Sequence, residues 1–137
     1  MISDFELIGR IILAFILGGV IGFERERVDK PAGLRTHILV SIGSAQFTIL
    51  SFYAFPGSDP SRVAAYVVAG IGFIGAGTII QARDRVIGVT TAASLWVAAA
   101  VGMATGIGFY LLAIVVAILA YMTLKLRWLE AKLSSDE

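Results

Sequence analysis

The chain of 137 residues contains no cysteine and a single histidine, which excludes several kinds of chemistry. Disulfide bonds and thiolate metal sites require cysteine. The sequence has neither an H-E-x-x-H pattern nor a nucleophile elbow, so neither a helical zinc site nor a catalytic triad can be assembled. We therefore expect no enzymatic activity.

Charge is also scarce, because only 15% of the residues are charged whereas 58% are hydrophobic, and the mean hydropathy is +0.87. These values lie outside the range of soluble globular domains. The net charge of +1 says nothing about nucleic acid, but a nucleic-acid-binding protein would have a basic face without long apolar runs, so no nucleic-acid partner is expected. The composition predicts an integral protein of the lipid bilayer.

Five apolar runs cover residues 5–23, 36–55, 63–81, 89–105 and 107–124. Most of them reach the roughly 20 residues that a helix needs to cross about 30 Å of hydrocarbon. The fold class predicted is all-α, a polytopic membrane protein with five transmembrane helices and a tight turn between the last two. Residues 1–124 form the five-helix transmembrane domain, and residues 125–137 form a short amphipathic cytoplasmic tail.

The basic residues predict the orientation of the chain. The sequence starts with the acidic stretch MISDFE and shows no cleavage site, so the first apolar run is expected to stay as a helix. Positive charge collects on the cytoplasmic side of membrane proteins. Nine basic residues fall on one side of the predicted helices: Arg25, Arg27, Lys30, Arg35, Arg83, Arg85, Lys125, Arg127 and Lys132. The N-terminus should therefore lie outside and the C-terminus in the cytoplasm, with Arg10 extending outward to the interface.

A weak internal match appears when the sequence is shifted by fifty-five residues. The shift places Gly22, Asp29, Lys30, Gly33 and Thr36 on Gly77, Asp84, Arg85, Gly88 and Thr91. Two readings stay open. The first four helices form a parallel repeat of two helical hairpins, followed by the fifth helix, or glycine-rich sequence matches itself by chance.

Small residues recur every four positions in the first and fourth apolar runs, and four glycines lie within eight residues of the third run. Glycine inside a helix costs roughly 0.5 to 1 kcal/mol relative to alanine, so its density calls for close helix packing, as membrane helices use. The candidate packing residues are Gly18 and Gly22 in the first run, Gly70, Gly72, Gly75 and Gly77 in the third, and Ser94, Ala98, Gly102 and Gly106 in the fourth. They serve either packing within the chain or an interface between copies, and a homodimer is expected.

Polar side chains collect where the first and third helices end and the second and fourth begin. The candidates for a polar network or a cation site are Glu24, Arg25, Asp29, Arg35, Thr36, His37, Asp84, Arg85, Thr90 and Thr91. Glu24 is unusual, because a carboxylate is disfavoured at a helix C-terminus and needs a positive partner. Arg25, Arg35 or the start of the fourth helix could supply it.

Two interpretations of this network stay open. It is an ion-pair network that fixes the bundle, or a cation or regulatory site in which Glu24 and Asp84 would be the metal ligands, with Mg²⁺ as the cation. His37 serves helix-start hydrogen bonding or senses pH. Thr90 and Thr91 cap a helix or act as ligands. No ionisable group lies near a helix midpoint, which disfavours an autonomous pump but not a pore built from several copies.

Four ordered motifs carry a family resemblance: GxxIGFERE, AGLRTHILVSIGSA, AGIGFIGAGTII and GVTTAASLWVAAAVGMATGIGFY. With them the chain resembles the MgtC/SapB family of bacterial inner-membrane proteins. The resemblance implies five membrane spans, a role in growth at low magnesium, virulence through survival in host phagosomes, and control of other membrane proteins such as the F-type ATP synthase. The signature positions it implies are Glu24, Arg25, Gly33, Arg35, Thr36, Gly70, Gly72, Gly75, Gly77, Thr90, Thr91, Ser94 and Trp96.

The best-known members of that family continue into a C-terminal cytoplasmic domain, whereas this sequence stops at Glu137. The expectation is therefore a short form that consists of the membrane domain. Two functions follow. The preferred one is a regulator of other membrane proteins in low-magnesium adaptation, and the alternative is an oligomeric Mg²⁺ channel or transporter.

Overall fold

The computed structural model describes residues 2–82 and 85–126, and within these residues the fold consists of five α-helices and one short β-hairpin. The helices are α1 (Asp4–Arg27), α2 (Leu34–Tyr53), α3 (Ser61–Ala76), α4 (Val89–Ile107) and α5 (Tyr110–Lys125). The strands are β1 (Ile80–Ala82) and β2 (Arg85–Ile87), paired antiparallel with Ile80 opposite Ile87. The predicted tail lies outside the described residues from residue 127 onward.

Helix α2 occupies the centre of the bundle, between α1 and α4. Its contacts with α1 run antiparallel, from Gly22 beside Leu34 to Ala14, whose carbonyl accepts a hydrogen bond from Ser41. Its contacts with α4 run parallel. α5 packs on α1 and α4, and α3 packs on α4 and α2.

Small residues make this close packing of α1, α2 and α4 possible. A Cβ atom built on Gly22 would lie 2.8 Å from the Cβ of His37, and one on Gly106 would lie 2.7 Å from the carbonyl oxygen of Ala45. A Cβ on Gly102 would overlap the carbonyl oxygen of Ser41. The predicted packing residues Gly22 of α1 and Gly102 and Gly106 of α4 thus contact α2 within the chain.

The outer surface is mainly apolar, and most polar side chains of α2 are inside. Helices α1 and α4 are long and apolar enough to cross a membrane. Arg35 and Gln46 of α2 are exposed, but five other polar side chains of this helix share one buried face. They are His37, Ser41, Ser44, Thr48 and Ser51. An apolar exterior with a polar seam inside is the reverse of a soluble domain and suits lipid as the solvent.

Helix α3 ends earlier than predicted, and the strands β1 and β2 follow it. The third run was expected to be helical to residue 81, but the helix stops at Ala76 with Gly77 as its C-cap. β-branched residues follow in Thr78, Ile79 and Ile80, and these favour extended backbone. Gly88 lies between β2 and α4 with φ of +97°, and a Cβ there would overlap the Thr78 carbonyl, so glycine is required.

The glycines of α3 do not pack as the sequence suggested. Gly70 and Gly72 are exposed, and a Cβ on either would meet nothing within 4 Å. Gly75 does contact Ala92 of α4, at ordinary van der Waals distance, and Gly77 ends the helix. The expectation of packing at Gly70 and Gly72 is wrong within one chain, because the residues that α3 buries are Ile71 and Gly75.

Two further sequence features correspond to backbone geometry. The predicted turn between the last two helices is confirmed, since Gly108 takes φ of +99° and its N–H bonds to the carbonyl of Ala104. Helices α2 and α4 start at positions separated by the predicted repeat offset, each after a glycine, Gly33 and Gly88. The helices before them differ in length, however, so the correspondence does not extend through α1 and α3.

Candidate functional site

A buried polar cluster lies where the end of α1 meets the starts of α2 and α4. We call it the His37 cluster, and it consists of Glu24, Arg25, His37, Thr91 and Ser94, all of them buried. Glu24 and Arg25 come from the last turn of α1, His37 from the first turn of α2, and the hydroxyls from the first two turns of α4. Four of its five members were predicted to form a polar network, and Ser94 was assigned to packing.

Hydrogen bonds join the three helices through this cluster. The Arg25 guanidinium donates from Nη2 to Thr91 Oγ1 at 3.1 Å. His37 Nε2 lies 2.9 Å from Ser94 Oγ, and His37 Nδ1 lies 2.8 Å from the carbonyl oxygen of Gly33. Since that carbonyl can only accept, Nδ1 carries a proton. The imidazole therefore bridges α2 to α4 and fixes their relative position.

The protonation of His37 decides where the Ser94 hydroxyl donates. Ser94 Oγ lies 2.8 Å from the Thr91 carbonyl as well as 2.9 Å from His37 Nε2, and one hydroxyl has one proton. With a neutral imidazole, Ser94 donates to Nε2. With a charged imidazole, Nε2 donates to Ser94, which then donates to Thr91. Both states keep His37 bonded, so the geometry is compatible with either role proposed for it.

Glu24 is buried, with 7% of its surface exposed, and its charge partner is the neighbouring residue. Arg25 Nη1 lies 3.6 Å from Glu24 Oε2, an ion-pair distance but longer than a hydrogen bond. The carboxylate at the C-terminus of α1 thus has a cationic partner, as expected from the helix dipole. Of the three candidates, Arg25 supplies it.

Several predicted members lie outside this cluster. Arg35 was expected near Glu24 but is exposed at the second residue of α2, on the side away from the bundle interior, so that expectation is wrong. Asp29, Arg85 and Thr90 are exposed too, and Thr36 is half-buried. Asp84, a predicted metal ligand, lies outside the described residues.

Glu26 has a role that the sequence reading missed. Its carboxylate accepts a hydrogen bond of 2.9 Å from the Leu34 backbone N–H, so it caps α2 from the preceding helix. A Cβ on Gly33 would overlap this carboxylate, which explains why glycine precedes α2. The local signal was an acidic residue eight positions before a helix start that has no cap of its own.

A second polar cluster, also missed, lies at the opposite end of α1. Arg10 is only 4% exposed, so the prediction that it extends outward is wrong. Its guanidinium donates to the Gly106 carbonyl at 2.7 Å, to Glu6 at 2.7 Å, and to the hydroxyls of Tyr53 and Tyr110. We call these residues the Arg10 cluster, and they join α1, α2, α4 and α5. The Glu6–Arg10 spacing of four was visible in the sequence, but the other partners come from distant helices.

The part of the chain that the structure describes, which excludes the predicted ligand Asp84, contains no arrangement that fits a dedicated magnesium site. No group of three His, Asp or Glu residues suited to a metal occurs in residues 2–82 and 85–126. Mg²⁺ needs oxygen ligands in octahedral geometry, and the guanidinium of Arg25 lies directly beside Glu24, where its positive charge opposes a second cation. The cluster as described is an ion-paired helix junction.

Within the described residues, the fold is a helical bundle with a mainly apolar exterior and polar clusters at both ends, and two of its helices are long and apolar enough to cross a membrane. The family model described as the MgtC family matches residues 11–131. The chain belongs to the MgtC family, and the two long apolar helices support a membrane location. The resemblance carried by the four motifs is thereby confirmed.

Named relatives occur in several bacteria. The chain is 48% identical over 128 residues to YhiD of Escherichia coli K12, whose name proposes it as a magnesium transporter, covering 88% of this chain and 60% of that protein. It is 52% identical over 95 residues to protein MgtC of Brucella abortus, covering 69% and 40%. It is 43% identical over 116 residues to protein SapB of Bacillus subtilis, covering 78% and 50%. The chain spans 40% to 60% of these relatives, and no solved structure matches it.

Proposed function

We propose that this protein is a regulator in magnesium homeostasis that acts by binding another membrane protein at the end of the bundle that holds the His37 cluster. It resides in the bacterial cytoplasmic membrane with all five helices inserted, its N-terminus outside and the His37 cluster on the cytoplasmic side. The family and the names of its relatives support the link to magnesium. No enzymatic step and no resident cofactor are part of this proposal.

The exposed β-hairpin is the observation that carries the binding role. Ile80, Val86 and Ile87 are 59%, 61% and 52% exposed, and the two strands pack chiefly on each other. A two-stranded hairpin with exposed aliphatic side chains is marginally stable in water. A protein surface that covers the hairpin would remove this exposure.

The polar residues near this end divide into two groups with different uses. The buried members of the His37 cluster are engaged in bonds between helices. The charged side chains of Arg27, Asp29, Arg35 and Arg85 are exposed around them. Both signs of charge, next to an exposed apolar hairpin, resemble a protein-binding surface with an apolar centre and a polar rim. An F-type ATP synthase is the first partner to test.

A second function, cation transport by an assembly of several copies, is favoured by the buried polar face of α2. His37, Ser41, Ser44, Thr48 and Ser51 form one continuous stripe along that helix. Ser41 and Thr48 bond to backbone carbonyls, of Ala14 and Ser44, so the stripe is closed as it stands. Transport would require α2 to separate from α1 or α4 and expose these groups.

Two measurements separate the functions. Purified protein in liposomes that contain a Mg²⁺ indicator should give no flux if it regulates, and flux that falls in a Glu24→Gln variant if it transports. In cells, a photo-crosslinking residue at Val86 should capture one defined membrane protein at low magnesium. The same residue at Leu111, which is 77% exposed on α5, is the control. Equal capture at both positions, together with magnesium flux, would contradict the regulator proposal.

A further inference from the structure

An apolar groove of about 450 Å³ runs between α1 and α2 at the end that holds the Arg10 cluster. Its walls include Ile8, Ile12 and Leu50, which are exposed by 55%, 54% and 38%. Gln46 is an exposed polar residue in this groove, and no described residue hydrogen-bonds to its amide. Tyr53, also in the groove, already accepts a bond from Arg10.

The membrane insertion of α2 is taken from the proposed function, and with that insertion the position of Gln46 places its amide inside the hydrocarbon region. It follows Leu34 by twelve residues, or about 18 Å at 1.5 Å per residue, and precedes the end of the helix by about 10 Å. A helix of 20 residues roughly matches the 30 Å hydrocarbon thickness. An amide there has no water, and lipid tails offer it no hydrogen bond.

A second copy of this chain is the partner that best fits this amide. All copies insert with the same orientation, so a two-fold axis along the membrane normal places Gln46 of both copies at the same depth. A primary amide both donates and accepts, so two of them can form a reciprocal pair. The small packing residues of α1 and α4 already contact α2 within the chain, whereas the groove between α1 and α2 stays available for a second copy.

We propose that two copies associate through the α1–α2 groove, with the Gln46 amides paired at its centre. The aliphatic side chains of Ile8, Ile12 and Leu50 then fill the opposite groove around the amide pair. Polar pairs of this kind stabilise membrane helix association because the separated amides have no partner in lipid. The inference holds whether the protein regulates a partner or transports an ion.

The absence of cysteine from the chain allows a direct test in native membranes. An Ile12→Cys variant, which keeps both Gln46 amides and places the thiol in the groove, should be cross-linked into a dimer by a short bis-maleimide reagent. Leu112→Cys is the matched control, because Leu112 is 53% exposed on α5. Its distance along α5 from the Gly108 turn is about the distance along α4 from that turn to the contacts of Gly102 and Gly106 with α2, so the two cysteines are compared at a similar depth. The Leu112→Cys variant should give little dimer.

A second variant tests the amide itself. Gln46→Leu should raise the dimer dissociation constant in liposomes by about three- to thirty-fold, the equivalent of about 0.6 to 2 kcal/mol, without lowering the melting temperature of the monomer. Gln46→Asn should recover part of the affinity. Equal cross-linking at residues 12 and 112, an unchanged dissociation constant in Gln46→Leu, or cross-linking of residue 12 only to a different protein would each overturn the proposal.

Discussion

Replacing Gly102 by alanine adds one methyl group at the closest contact between α2 and α4. A Cβ there would overlap the Ser41 carbonyl oxygen and lie 3.0 Å from the Ser44 Cβ. The carbonyl oxygen is a backbone atom of α2, and the Ser44 Cβ is bonded directly to that backbone, so a side-chain rotation cannot relieve the overlap. Overpacking of a core in this way costs about 1 to 3 kcal/mol.

Gly70→Ala is the control that isolates this cost, because a Cβ at Gly70 meets nothing within 4 Å. Both substitutions gain the same helix propensity of alanine, roughly 0.5 to 1 kcal/mol, so that contribution cancels between them. Unfolding by SDS titration, followed by circular dichroism, should therefore show Gly102→Ala less stable than Gly70→Ala by about 1 to 3 kcal/mol. Equal free energies of unfolding would refute the assigned packing of α4 on α2.

Three further substitutions probe the polar clusters and the hairpin. Arg10→Ala removes a buried donor from the Gly106 carbonyl and should destabilise the protein by about 1.5 to 3 kcal/mol. Its control, Arg35→Ala, is at an exposed position and should change the melting temperature little. The reverse order would contradict the Arg10 cluster. Ser94→Ala leaves His37 Nε2 without its partner and should cost about 1 to 3 kcal/mol, measured by the same titration, and no loss would argue against the bridge between α2 and α4. Gly88→Ala meets both a positive φ and the Thr78 carbonyl, so faster proteolysis at the hairpin is expected, and an unchanged cleavage rate would speak against the described turn.

The sequence predicted the helices best where apolar length and small-residue spacing agree. The starts of α2 and α4 follow glycine, and the ridge from Ala98 to Gly106 lies against α2. Helix α3 was overextended because its hydrophobicity continues past Gly77, and hydropathy does not distinguish an apolar helix from an apolar hairpin. Local β-branching at Ile79 and Ile80 was the signal against a helix.

The two polar clusters differ in how far they could be predicted. Topology brings Glu24, Arg25 and Thr91 to one end of the bundle, so their proximity followed from counting crossings. The choice of Arg25 over Arg35 as the partner of Glu24 could not be predicted in this way, since it depends on which side of α2 faces inward. Arg10 was misplaced because one of its acceptors is a backbone carbonyl, that of Gly106, which no sequence pattern marks.

The distribution of these contacts makes α1, α2 and α4 one firm unit. Arg25 bonds to α4 at one end of α1, Arg10 bonds to α4 at the other, and between them glycines hold α2 in close contact with both neighbours. Among the described residues, α3 is joined to the other helices by one side-chain hydrogen bond, from Ser51 of α2 to the carbonyl of its N-cap residue Pro60, and it buries only Ile71 and Gly75. Regions with few buried contacts have the lowest local stability. A partner bound at the hairpin would therefore act first on α3, the element with the least holding it in place.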